Sequence, residues 1–87
     1  MDLLWLKLLL KIQEVTKNRF EDLVQAMSLE MGAPMTMARD AQADAAIGHL
    51  DGFIEALKKL EDYVTLPNGD VLCKEPIGVC GLITPWN

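Results

Sequence analysis

Histidine occurs once in this 87-residue sequence and cysteine twice, and eight basic residues face thirteen acidic ones. Each shortage removes a class of chemistry. His49, Cys73 and Cys80 give neither the ligand spacing of a zinc site nor a Cys-x-x-Cys motif. A formal net charge of -5 leaves no basic stripe to displace counterions, which argues against a nucleic-acid partner. That charge reads as a device for solubility. No Gly-x-Gly-x-x-Gly occurs, and Gly78 with Gly81 is too sparse a signal to argue a phosphate site. The leucine-rich opening from Leu3 to Leu10 is interrupted by Lys7 and far too short to span a bilayer. It follows Asp2 instead of a basic stretch and has no small-residue cleavage site, so it does not read as a secretory leader. These features predict an intracellular, reducing, cytoplasmic setting with no membrane partner.

What is present is the composition of a chain that folds: 51% hydrophobic and 24% charged. The first expected helix runs from Asp2 to about Thr16, with Leu4, Leu8, Ile12 and Val15 at helical spacing and Lys7, Lys11 and Glu14 on another face. Leu3, Trp5, Leu6, Leu9 and Leu10 widen the apolar stripe, so much of this helix is expected to be buried. Asn18, with Glu21 three residues on, predicts the N-cap of a second helix. Phe20, Leu23, Val24, Met27 and Met31 supply its apolar face, Gly32 its left-handed end, and Pro34 prevents continuation. Met35 to Leu60 predicts one long third helix with Ala38, Ala41, Ala45, Ala46, Ile47, Leu50, Ile54 and Leu57 on its apolar side. Gly48 and Gly52 mark close packing on this helix, or a break near Gly48. His49 on the same helix reads as a surface or packing histidine, the methionines at the helix junction as core, and Glu30 as a solvated or salt-bridged residue.

Tyr63–Leu66 and Val71–Lys74, separated by Pro67-Asn68-Gly69-Asp70, predict a β-hairpin, because both residues of Asn-Gly tolerate positive φ. Two strands are marginal in water, so the pair needs a larger sheet, within the molecule or across a subunit interface. The organising stretch is Glu75 to Asn87. Ile77, Val79, Leu82 and Ile83 form a run bounded by Pro76 and Pro85, apolar on both faces as in the strands of parallel sheets. A parallel strand reaches its neighbour through a crossover of a dozen or more residues, and none follows. The run therefore predicts the first strand of a sheet whose remainder is absent. Cys80, mid-strand with no lysine, arginine or histidine close in sequence, reads as inert packing, and Cys73 as an edge residue of the hairpin.

Glu-Pro-Ile-Gly-Val-Cys-Gly-Leu-Ile-Thr-Pro-Trp-Asn, residues 75–87, resembles the segment that opens the dinucleotide-binding domain of the aldehyde dehydrogenase superfamily. Its Pro-Trp-Asn ending is the most specific part. Arg19, Glu30-Met31-Gly32 and Pro34 are similar to the family's early helices, so the resemblance covers essentially the whole chain, although Trp5 and the crowded leucines depart from the more basic start of that family. The resemblance implies an α/β parent with a Rossmann-type cofactor domain, of which this chain is an early portion: residues 1–61 helical, 62–75 an oligomerisation hairpin, and 76–87 the start of the NAD(P)-binding domain. It implies that Asn87 holds the oxygen of an aldehyde attacked by a cysteine, and that Ile83, Thr84, Pro85 and Trp86 line the nicotinamide of NAD or NADP. An asparagine amide is a neutral donor at ordinary pH and suits an oxygen gaining negative charge. Without the resemblance, Asn87 reads as a turn or cap residue and Trp86 as core.

The expected function is oxidation of an aldehyde to a carboxylic acid by the complete, homo-oligomeric enzyme, the isolated chain lacking the catalytic cysteine and the general-base glutamate. The alternative is a non-enzymatic helical module that docks on a full-length homologue. The aldehyde and the choice between NAD and NADP depend on residues that the sequence does not contain.

Overall fold

The computed structural model describes residues 3–85. Helix α1 spans Leu3–Asn18, α2 Phe20–Met31 and α3 Met35–Met37; a π-helical run over Ala38–Ala43 leads into α4, Asp44–Lys58. Strands β1 (Tyr63–Thr65) and β2 (Val71–Cys73) follow and form a two-stranded antiparallel sheet. Helix α1 lies against α4, and α2 lies against the π-helical run.

The helix between Pro34 and Lys59 is continuous, as its sequence predicts, and does not break at Gly48. Its irregularity lies earlier. In a regular α-helix, residues five apart point about 140° away from each other. The i→i+5 bonding of a π-helix turns them back toward one side. Ala38 and Ala43 are thereby both buried, against Val24 of α2, with Phe20, Leu23, Met27, Ala33 and Met35 packed around them. The expected apolar side is corrected accordingly. Ala43 joins the core, whereas Ala41 and Ala45, placed there by a regular 3.6-residue period, are exposed. Gln42 Oε1, in the same run, is buried with no hydrogen-bond partner among the described residues.

The expected cap at Asn18 is also corrected. Asn18 is the last residue of α1, and only Arg19 separates the two helices. Arg19 N–H donates to Val15 O (3.0 Å), and Arg19 O accepts from Leu23 N–H (3.2 Å), so the hydrogen-bond ladder runs through the junction. Arg19 takes the N-cap position of α2, and no side-chain hydrogen bond caps that end among the described residues. At its other end Gly32 adopts φ +73°, and its N–H donates to Ser28 O at 2.9 Å, closing α2 in the left-handed manner predicted.

Burial of α1 is far less than its leucines predict. Gln13 is its buried residue, held by a hydrogen bond from Nε2 to Asp51 Oδ1 of α4, while Leu3, Leu4, Trp5, Leu8, Leu10, Ile12 and Val15 stay exposed. One neighbouring helix cannot cover a stripe that wide.

The hairpin forms with Tyr63 opposite Cys73, Val64 opposite Leu72 and Thr65 opposite Val71. Its turn differs from the one Asn-Gly alone suggests. Leu66 N–H donates to Asp70 O (2.7 Å) and Gly69 N–H to Leu66 O (2.9 Å), leaving Pro67, Asn68 and Gly69 as a three-residue loop. Only Gly69 takes positive φ there, at +92°. Proline suits the second position of such a turn, and the left-handed residue that completes the loop is glycine. Asn68 Oδ1 accepts from Asp70 N–H (3.1 Å), fixing the loop from within.

The expected strand over residues 77–83 is not formed among the described residues. Ile77, Val79, Leu82 and Ile83 are 87–107% exposed. The physical reason is the one that marked the segment out: β1 and β2 constitute the described sheet, and neither pairs with it. Cys80 is accordingly exposed instead of packed, its thiol 3.7 Å from Gly78 O.

Candidate functional site

Ile83, Thr84 and Pro85 are exposed residues of this irregular segment. Trp86 and Asn87 lie outside the described residues. Among the described residues, Ile83, Thr84 and Pro85 thus stand exposed to solvent. Their chemistry fits one end of a dinucleotide. Ile83 and Pro85 can wall a flat nicotinamide ring, and the backbone groups of 83–85 are open for hydrogen bonding. It does not fit the phosphates, since no glycine-rich turn leads into a helix N-terminus.

Concave surface occurs elsewhere. A cleft of about 510 Å³ opens between the start of α1, the end of α4 and the hairpin, lined by Trp5, Leu57, Leu60 and Tyr63 together with Asp62, Lys74, Glu75 and Pro76. It adjoins an apolar groove of about 350 Å³ between α1 and α4, lined by Leu9, Leu50, Phe53, Ala56, Leu57 and Leu60. Sequence periodicity did not locate this groove. Its only sequence signal was the surplus of leucines on α1 over what one packed face requires.

The charged groups are structural. Arg39 of the π-helical run makes a two-pronged bond to Glu21 of α2, Nε–Oε1 at 3.1 Å and Nη2–Oε2 at 2.8 Å. That hydrogen bonding lowers the Glu21 pKa from its ordinary 4.5 and raises that of Arg39. Lys58 lowers the Glu55 pKa in the same way, through a 2.8 Å hydrogen bond within one turn of α4. His49 is exposed on α4. Among the described residues no group of His, Cys, Asp and Glu could hold a metal ion, and no helix is long and apolar enough to cross a membrane.

The exposed apolar segments amount to a surface too large for the mass. The chain exposes 7243 Å², against about 5,100 Å² for a compact monomer of 9.7 kDa. Its radius of gyration is 17.1 Å, against about 12 Å for a compact 87-residue domain. The excess, about 2,000 Å², is of the size that obligate interfaces bury.

Comparison with known proteins identifies the family. The model of the aldehyde dehydrogenase family matches residues 6–87. The chain is 40% identical over 80 residues to a Staphylococcus saprophyticus protein named provisionally as an aldehyde dehydrogenase, covering 92% of this chain and 17% of that protein. Similarly named proteins of Staphylococcus haemolyticus and Staphylococcus aureus are 40% and 39% identical over 82 and 80 residues, covering 93% and 92% of this chain. No solved structure matches. The chain belongs to the aldehyde dehydrogenase family, and it spans 17% of the length of these relatives.

Proposed function

We propose that the chain is a working part of an NAD(P)+-dependent aldehyde dehydrogenase, the part that supplies one wall of the cofactor cleft and the donor that holds the reacting oxygen. The observation that carries this reading is the exposed run Ile77, Val79, Leu82 and Ile83, apolar on both faces and unpaired. Such a segment suits a sheet covered on both sides, and the family match extends through it to Asn87. Docked into that sheet, the segment brings Ile83, Thr84, Pro85 and Trp86 to a strand's carboxyl end, where open α/β sheets bind nucleotides.

The chain's own contribution to the chemistry is then a positioned donor and a dry wall. The Asn87 amide donates to the aldehyde oxygen and stabilises the charge that grows as a nucleophile adds to the carbonyl. Ile83 and Pro85 exclude water beside the reacting carbon, with Trp86 closing the wall. The nicotinamide, when bound, accepts the hydride. Nucleophile, base and phosphate site come from outside these 87 residues, so the isolated chain is inactive. The hairpin offers free strand edges for assembly with further copies of the enzyme. The exposed, unpaired thiols of Cys73 and Cys80 suit a reducing cytoplasm.

The test is a chimera in which this chain replaces the matched segment of the Staphylococcus saprophyticus relative. The expected result is aldehyde oxidation with NAD+ or NADP+, reduced about 100- to 1000-fold in kcat by Asn87→Ala, the usual effect of losing one oxyanion donor. A folded chimera that oxidises aldehydes equally well with and without the Asn87 amide would overturn the assignment.

A further inference from the structure

The apolar groove and the exposed segment are neighbours in the fold, and both stand open. The groove shares Leu57 and Leu60 with the adjoining cleft, which Glu75 and Pro76 also line beside Asp62 and Lys74. The segment thus begins at the cleft that adjoins the groove. Two residues further on, Gly78 holds φ +108°, a backbone conformation closed to most side chains, with nothing within 4 Å of where a Cβ would stand. Glycine leaves the backbone there a wider range of dihedral angles than any other residue.

Dimensions and chemistry agree. From Leu57 to Leu50 the groove runs about 10 Å along α4, at 1.5 Å per residue. Val79 to Ile83 in extended form spans about 13 Å. Beyond Gly78, alternation puts Val79, Gly81 and Ile83 on one face of such a segment, two large apolar side chains and a flat gap. Neither the segment from 77 to 83 nor the groove lining contains a charged residue, so closure strips no ion of water. The outer edges of an extended segment lying on a helix surface keep their backbone groups in solvent.

We infer that residues 77–83, whenever no larger sheet takes them up, fold back over the α1–α4 groove of their own chain as an extended strap. The strap shields the groove and the future strand together until the sheet is available. Covalent attachment through a short flexible connection presents the segment at an effective concentration of about a millimolar. At micromolar protein, the chain's own segment then outcompetes that of a second copy by on the order of 1000-fold. The sheet in this inference rests on the dehydrogenase reading, whereas the contact between segment and groove does not.

The experiment is nuclear magnetic resonance on the 87-residue chain at micromolar concentration. Through-space contacts are expected between the methyl groups of Val79 or Ile83 and the Phe53 ring. They should persist within one molecule when labelled and unlabelled chains are mixed. Phe53→Asp, at a position 67% exposed and outside the core, should abolish them and return both methyl signals to their unfolded positions, with helical circular dichroism retained. Contacts seen only between differently labelled molecules would overturn the strap in favour of a second copy in the groove. Unfolded-type methyl signals in the unaltered chain would overturn it outright, whatever the variant does.

Discussion

Val24 is the largest side chain with no exposed surface among the described residues, and it sits where α2 meets the π-helical run. Removing its two methyl groups in Val24→Ala is expected to cost about 2 kcal/mol, from lost burial and the small cavity left behind. The urea-unfolding midpoint measures it. Glu21 and Arg39 brace the same junction from the surface. Because the pair lowers the Glu21 pKa in the folded state, its contribution is fully present above the ordinary carboxylate value of 4.5 and is lost as pH falls through the lowered one. Glu21→Gln should therefore destabilise the chain at pH 7 and lose that effect in acid. Urea titrations of both proteins across pH 2–7 would show this as converging midpoints, and parallel curves would remove the pair from the account.

At the scale of elements, α4 is the helix most open to improvement. Gly48 and Gly52 cost about 1 kcal/mol each relative to alanine in a helix interior. Nothing stands within 4 Å of either Cβ position, so packing within this chain does not require glycine there. Gly48→Ala should raise the melting temperature of the 87-residue chain by about 4–8 °C. Gly32 obeys the opposite rule. Its surroundings are equally open, but its φ of +73° is left-handed, so Gly32→Ala should cost about 1–2 kcal/mol through the backbone alone. Thermal melts by circular dichroism separate the two variants by sign. The reading of Gly48 and Gly52 as marks of tight packing within the described fold is thus not upheld, while the reading of Gly32 as a helix end is.

For the whole molecule the governing quantity is uncovered surface. An 87-residue chain with a radius of gyration of 17.1 Å, an open groove and an unpaired apolar segment leaves much apolar surface in contact with water. The chain alone, incubated with an aldehyde and NAD+, is expected to form no NADH. Measurable turnover that survives Asn87→Ala would mean that the catalytic groups have been misplaced. The relatives it matches are longer, and the chain spans 17% of the length of the Staphylococcus saprophyticus protein.

Periodicity and local backbone chemistry fixed much of this in advance. Three helical regions, the stop at Gly32 and Pro34, the hairpin around Asn68 and Gly69, and the family resemblance of residues 75–87 all depend on residues within a few positions of one another, which is the range a sequence displays. The slip into π-helix at Ala38–Ala43, the exposure of most of α1 and the position of the groove depend on which helix faces which, and no local pattern contains that. The strand expected over 77–83 shows the division most plainly. Its residues state that they belong in a sheet, but a strand exists only through hydrogen bonds to a neighbour, and whether a neighbour is present is a tertiary fact.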